Sequence, residues 1–432
     1  MTIYNGISFL GIILLMMLAW IFSGHKRMIN WRLIAWGVGF QLLFALFIFY
    51  MPAGIRVFKM VNDAALAVLN SALAGAEFVF GRLAIPPGAT NEAGETSLGF
   101  FLAFQAFPTI IFFSALMSVL YFLKIMPFII KLFARIFTKL MRISGAESLC
   151  ASSNIFVGLE SAFTIKPHLS DMTRSELFTV LTVCMSTVAS NVLALYVFSL
   201  KNQFPLIAGH LISASFLSIP AALIISKLMM PETEDPKTLG INIEPHYEKE
   251  DNLFMAIING ANAGIKFIVG IVALLIAVIS LIALLNLGLS KIGLLFGAES
   301  GFTLQHILGY IFYPFTLIMG IPPEDIDVVS RIVGERIILT EVTAYQDLAA
   351  AISQGTLQNP RSIIITTYAL CGFTHLASLA IFIGGISAII PKRIKLLTQI
   401  GFKALIAATL ACLMTACIAG IFAGNSSVLL AG

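Results

Sequence analysis

Asn154-Ile155-Phe156-Val157-Gly158-Leu159-Glu160-Ser161-Ala162-Phe163 interrupts an otherwise apolar stretch with polar residues, a glycine and a carboxylate. Ser144-Gly145-Ala146-Glu147-Ser148 leads into it. Each half, at roughly 10–15 residues, is too short to cross a bilayer, so a re-entrant hairpin fits better than a span. The following segment, 175–200, has a centre that is unusually polar for a spanning helix: Ser186-Thr187-Val188-Ala189-Ser190-Asn191. That cluster predicts local unwinding.

The second half repeats the plan. Residues 325–352 contain Thr340-Glu341-Val342-Thr343-Ala344-Tyr345, again short, polar and acidic at the centre. The next apolar window contains Cys371-Gly372-Phe373-Thr374-His375-Leu376-Ala377-Ser378. Kinked packing helices with small residues could explain one such segment. Two in corresponding positions, each with a carboxylate at membrane depth, point to transport, because such a carboxylate costs roughly 2.5–3.5 kcal/mol on insertion scales. Counting crossings makes the first hairpin open to the cytoplasm and the second to the outside. Inverted repeats with broken helices place a binding site near the midplane, where half-helix ends offer N–H groups and carbonyls.

Composition agrees. The 432 residues are 59% apolar and 11% charged, with a mean hydropathy of +0.96. A soluble domain carries about 25% charged residues. Long apolar windows at 7–23, 33–51, 99–123, 177–200, 204–227, 266–287, 361–386 and 400–424 are continuous rather than alternating, so they predict helices and not a barrel. The fold expected is an all-α polytopic membrane protein, with about eight transmembrane helices, two oppositely oriented re-entrant hairpins, interfacial helices and an inverted-repeat transport domain. The segments divide as 1–98 (scaffold helices and an external loop), 99–230, an acidic cytoplasmic loop at 231–252, and 253–432.

Net charge is +4, and the cations lie in loops, which suits orientation on a bilayer and not nucleic-acid binding. Lys26, Arg27 and Arg32, the cations of 124–142, and Lys392, Arg393 and Lys395 all fall on the cytoplasmic side by the positive-inside rule, leaving the N-terminus external. Residues 124–142 are amphipathic at helical spacing and read as a helix in the interface plane. The first window has no basic region before it, so no cleaved signal peptide is expected. Five cysteines without CxxC or metal spacing read as small packing residues. His25, His168, His210, His246, His306 and His375 are scattered, and there is no HExxH or nucleophile motif, which argues against an enzyme. A channel would favour charge rings along a continuous pore. Glu147 reads as an N-terminal cap of the first hairpin.

The same residues resemble the concentrative nucleoside transporter family. The motifs are Phe104-Gln105-Ala106-Phe107-Pro108-Thr109, Ser144–Ser148 with Asn154–Gly158, Met172-Thr173-Arg174-Ser175-Glu176-Leu177, His210-Leu211-Ile212-Ser213-Ala214-Ser215, Thr340–Tyr345 and Cys371-Gly372-Phe373, in unbroken order from about residue 100 onward. The resemblance implies sodium-coupled nucleoside uptake by alternating access, in a homotrimer of a bacterial inner membrane, with no organic cofactor. It implies a scaffold of early helices beside a transport domain of hairpins and broken helices. It implies one sodium ion on Asn154, the Val157 carbonyl, Thr187 and the Val188 carbonyl. It implies substrate contacts from Gly158, Leu159, Glu160 and Ser161 at the first hairpin tip, from Val192, and from Glu341, Phe373, His375 and Ser378. A proton-coupled carrier of nucleosides, or of another small polar metabolite, is the rival reading.

Two departures stand out. Family members read Gly-Gln-Thr/Ser-Glu at the first tip, whereas Gly158-Leu159-Glu160-Ser161 loses the amide and moves the carboxylate one place early. At a ribose position where the family has Asn, this chain has His375. Leu159 makes the base end more apolar, and Glu160 can accept from an exocyclic amine, which favours purines or cytidine over uridine.

Overall fold

The computed structural model describes residues 2–87, 89–91, 94–158, 160–295 and 302–424. Helices α1 (Ile3–Ile21), α2 (Trp31–Tyr50), α3 (Pro52–Phe80), α4 (Phe107–Phe122) and α5 (Ile125–Met141) come first. The first hairpin is α6 (Gly145–Asn154) and the short α7 (Glu160–Phe163); the helix that follows is broken into α8 (Arg174–Ser186) and α9 (Ser190–Leu200). Helices α10 (Ile207–Met229), α11 (Leu253–Leu295) and α12 (Leu304–Ile318) lead to the second hairpin, α13 (Ile326–Glu335) and α14 (Glu341–Ser353). A second broken helix, α15 (Pro360–Leu370) and α16 (Leu376–Ile389), precedes α17 (Ile394–Phe422). Among the described residues there is no β-strand.

Hydrogen bonds between helix ends fix which ends share a face. Arg32 Nε donates to the Leu140 carbonyl (2.9 Å), Ser175 Oγ to the Met230 carbonyl (2.7 Å) and Arg393 Nη2 to the Ser170 carbonyl (3.0 Å). The starts of α2, α8 and α17 and the ends of α5 and α10 therefore lie on one face, the basic face. On the opposite face the Asn5 amide donates to the Ile421 carbonyl (2.8 Å), and Arg361 Nη1 to the Ala423 carbonyl (2.7 Å). The first hairpin is rooted on the basic face, where Gly145 N donates to the Thr238 carbonyl (2.8 Å). The second is rooted on the opposite face, where Arg361 Nε donates to the Gly320 carbonyl (2.8 Å) just before α13. The two hairpins thus enter from opposite sides, as the repeat required.

Seven helices are long and apolar enough to cross a membrane. One of them, α3, has both ends on the same face. Near its start the Asn62 carboxamide oxygen accepts from Gly209 N (3.0 Å) at the beginning of α10. Past its end, Leu83 and Ile85 are tied through their carbonyls to the Gln105 amide, and Pro86 and Gln105 border the same cleft as Lys201 and Gln203 beyond α9. Helix α3 therefore lies along the surface, with Arg56, Lys59 and Asp63 among its apolar residues. The expectation of an external loop at 52–98 is corrected in this respect: most of it is helix. Its scattered charges kept it out of the apolar windows. The α8–α9 and α15–α16 pairs each run from face to face in two halves. With α1, α2, α4, α10, α11 and α17 they make eight crossings among the described residues. The amphipathic segment forms α5 as read, and Lys124 and Arg142, at φ 60° and 51°, turn the chain sharply at its two ends. Helix α12, antiparallel to α13 with Gly309 and Gly334 at their contact, was not among the windows.

The scaffold does not follow chain order. Helices α1 and α2 pack into the buried bundle with α10 and α17, while α4 and α11 form a pair at its flank. A Cβ on Gly260 or Gly264 would come within 2.7 Å of the Ala115 or Ile111 Cα, so the glycines let the two backbones touch. Helix α11 has 43 residues, about 64 Å at 1.5 Å each, more than twice a hydrocarbon core of about 30 Å. It must run obliquely or project beyond the bilayer.

The root of the first hairpin holds a buried charge pair. Ser144 and Glu147 form a reciprocal cap, as read from the sequence (Glu147 N to Ser144 Oγ and Ser144 N to Glu147 Oε2, both 3.2 Å). Lys227 Nζ of α10 lies 2.6 Å from Glu147 Oε1 and donates to Ser175 Oγ at 2.9 Å. Removing one partner of such a pair leaves a buried charge unpaired, at a cost of about 3–5 kcal/mol. Lys227→Met should therefore lower the thermal unfolding midpoint of the purified protein sharply, and adding Glu147→Gln should recover most of the loss. Equal midpoints for the single and double variants would show that the pair does not anchor the hairpin.

Candidate functional site

Both hairpin tips end against the breaks of the helices that follow them. At the first, the backbone of α8 stops at Ser186 and resumes at Ser190, and Ser190 N donates to the Phe156 carbonyl of the tip (3.3 Å). Asn154, fully buried, donates its amide to the Val183 carbonyl (2.7 Å) and to Thr187 Oγ1, and Thr187 Oγ1 donates back to the Asn154 carbonyl (3.1 Å). Among the described residues no donor is bonded to the carbonyls of Val157 or Val188. The four residues expected at an ion site thus meet in one place, with neutral oxygens.

Ser161 belongs to this cluster. It is buried, its Oγ donates to Asn154 Oδ1 (3.1 Å) and lies 3.3 Å from Cys184 Sγ. Its grouping with substrate contacts is corrected: the first turn of α7 points it at Asn154. Leu159 lies outside the described residues. All five cysteines are free and buried, in keeping with packing residues.

The second tip carries Glu341, the first residue of α14, where the helix N-terminus favours a negative charge. One carboxylate oxygen, Oε1, accepts from Tyr196 Oη of α9 at 2.8 Å. The other, Oε2, lies 2.9 Å from His375 Nε2, close enough for strong attraction but off the line of the N–H bond. His375 is the N-cap of α16, and its Nδ1 accepts from Ser378 N at 3.1 Å. That cap assigns the ring proton to Nε2, facing Glu341. Ser378 Oγ donates to the His375 carbonyl (2.7 Å) and to the Phe373 carbonyl. Glu341 therefore joins the second hairpin to both broken helices.

Between the tips lies a cavity of about 630 Å³. Gly158, Glu160, Ala189 and Val192 line it from the first repeat; Thr340, Glu341, Val342, Phe373, His375 and Ser378 from the second. Of the substrate positions read from the sequence, it gathers all the described ones except Ser161. Phe267, Ile271, Leu274 and Leu275 of α11 close its flank. These four and Tyr196 were missed, because nothing in a uniformly apolar helix, or in one tyrosine among apolar neighbours, marks the face turned to a site. Glu160 has no side-chain partner among the described residues and also borders a second cavity, lined by Lys124, Lys166, His246 and Glu250 at the basic face. The arrangement offers an apolar slot with one fixed acceptor and one free carboxylate, and no group placed for bond-making chemistry.

Comparison with known proteins agrees with this geometry. The family described as "Na+ dependent nucleoside transporter" matches through its N-terminus model at residues 10–83 and its C-terminus model at 210–420, and a "nucleoside recognition" gate family matches at 103–203. The Helicobacter pylori nucleoside permease NupC is 35% identical over 420 residues, covering 96% of this chain and 97% of that protein. Solute carrier family 28 member 3 of Mus musculus is 37% identical over 432 residues. The chain spans 59% of the length of that mammalian relative. Among solved structures, CNTnw in an inward-facing substrate-bound state matches with a TM-score of 0.87 at 32% identity, covering 97% of this chain and 98% of that one. A doubly substituted CNTnw in an outward-facing state matches with a TM-score of 0.88, at the same identity and coverage. With both halves matched and a relative aligned along nearly its whole length, the chain belongs to the Na+-dependent, concentrative nucleoside transporter family.

Proposed function

We propose that this protein carries nucleosides across the membrane by alternating access, driven by a sodium gradient. The observation that carries the reading is the meeting of two oppositely rooted hairpins at one cavity, with neutral oxygens gathered at the first tip and a braced carboxylate at the second. Asn154, Thr187 and the carbonyls of Val157 and Val188 are oxygen donors of the kind a hard cation takes. As placed, Asn154 turns its amide nitrogen to Thr187 and its oxygen to Ser161. Binding an ion between Asn154 and Thr187 requires that amide to rotate and present its oxygen. Sodium-stimulated uptake into proteoliposomes, lost on replacing sodium with choline and abolished or shifted to higher sodium in Asn154→Ala, is the expected result. Uptake indifferent to choline but collapsed by a protonophore would instead establish proton coupling.

On this reading Glu341 accepts from ribose hydroxyls, with His375 and Ser378 at the same sugar edge. Gly158, Glu160, Val192 and Phe373 lie toward the base. Hydrogen bonds to a charged acceptor contribute about 1.5–3 kcal/mol. Glu341→Gln removes the charge and half the acceptor capacity, and should weaken binding about ten- to a hundredfold. Titration with nucleosides, their 2′- and 3′-deoxy analogues and bare nucleobases measures this. Nucleobases binding as well as nucleosides, or normal binding by Glu341→Gln, would refute the ribose contact.

We further infer a homotrimer in a bacterial inner membrane with the N-terminus external. The long, largely exposed face of α11 supports assembly, and Arg32, Arg142, Lys237 and Arg393 on the basic face support the orientation. Light scattering of the solubilised protein should give three copies. A cysteine at exposed Glu234, on a Cys-less background, should resist impermeant maleimide in intact cells; labelling there would invert the topology.

A further inference from the structure

The joint between hairpin tip and helix break occurs twice, and its two copies are filled differently. Helices α6 and α13 have 10 residues each, and a glutamate starts the return helix six positions after each of them ends. In the first copy the side chain that reaches the end of the broken helix is an amide, Asn154 on Val183. In the second it is Arg336, the residue just past α13. Its guanidinium is fully buried and donates Nη1 to the Ala369 carbonyl in the last turn of α15. Among the described residues no carboxylate oxygen lies within 4.0 Å of it. Its Nε and Nη2, and the nearby Thr374 hydroxyl, have no partner. Cys412 of α17 lies against both.

A buried cation without a counter-charge is costly unless dipoles hold it. Here the carbonyl end of α15 supplies them. The next residue, Ile337, accepts from Leu376 N at the start of α16 (3.0 Å). Arg336 and Ile337 thus fasten the tip to both sides of the break, four residues before Glu341 and beside His375.

We propose that Arg336 is a built-in cation filling, in the second repeat, the cleft that the coupling ion takes in the first. It is a positioning residue: it keeps the second tip docked on its broken helix, so that Glu341 and His375 stay registered while the first tip alone responds to a mobile ion. The comparison with the coupling ion rests on the sodium-driven reading; the docking does not.

The test uses Arg336→Ala, Arg336→Lys and Arg336→Met in purified protein, with two readouts. The first is maleimide labelling of Cys412 with the other cysteines replaced. It should be negligible in the wild type and in Arg336→Lys. It should rise at least tenfold in Arg336→Ala and be suppressed by 50 mM guanidinium chloride. The second is adenosine, cytidine and uridine binding in saturating sodium, which should fall at least tenfold in Arg336→Ala and return to within about threefold of wild type with guanidinium. If Arg336→Ala does not fold, Arg336→Met against Arg336→Lys makes the comparison. Unchanged labelling, a loss of binding that guanidinium does not restore, or equal behaviour of the Met and Lys variants would overturn the proposal. A wild type that binds no nucleoside while Cys412 behaves as expected would sink the transport reading and leave the docking cation standing.

Discussion

A helix that stops in the middle of a membrane leaves carbonyls and N–H groups without partners in a medium that supplies no water. This chain stops a helix there four times, at two hairpin tips and two breaks, and each stop repairs another. At the end of α15 the last four carbonyls are all occupied: Thr367 by Tyr345 Oη, Tyr368 by Cys371 N, Ala369 by Arg336, and Leu370 by Gly372 N. The start of α16 gives Leu376 N to Ile337 and Ser378 N to His375. In the first repeat Val183 takes the Asn154 amide, and Ser190 N goes to Phe156. Tips and breaks are therefore one structure, and the cavity is the space between two such repairs.

The roots are fastened differently from the tips. Lys227 ties the first hairpin to α10 through a carboxylate, while Arg361 ties the second to α1 and α17 through carbonyls of Gly320, Tyr4 and Ala423 and the Ser8 hydroxyl. Buried cations at both roots make each hairpin part of the bundle at its base. Motion of a tip then pivots on a fixed root, and the flanking α4–α11 pair, which touches the cavity only through apolar side chains of α11, presents a surface with no directional bonds to break.

Much of this was legible in the sequence because polar residues inside apolar runs have few explanations. Glu160, Glu341 and the Ser186–Asn191 cluster marked tips and a break directly, and Ser144 with Glu147 announced a helix start by a cap whose partners lie three residues apart. What escaped depended on partners distant in the chain. Helix α3 looked like loop because its charges are spread along a surface helix. Ser161 sits one residue after Glu160, yet helical rotation turns it to the opposite side. Tyr196 bonds Glu341 across 145 positions, and no local pattern distinguishes it from a packing tyrosine. Arg336 reads as an ordinary loop cation until its burial is known.

Glu160 and Glu341 hold the same place in the two repeats and do different work because of what surrounds them. Glu341 is 3% exposed, set on a helix of 13 residues and braced by a tyrosine and a histidine. A carboxylate fixed in that way offers its remaining lone pairs in set directions, which suits a sugar with hydroxyls at fixed spacing. The histidine strengthens the constraint. Its Nδ1 is committed to capping α16, so it can face the site only as an Nε2–H donor, where a terminal amide could turn either end. Glu160 starts a helix of four residues, is exposed to the cavity and has no side-chain partner among the described residues. It can move toward whatever enters from the basic face. On the proposed reading, one end of the substrate is therefore held by a rigid acceptor and the other met by a mobile one, and selectivity for the base depends on the side chain that the fold constrains least.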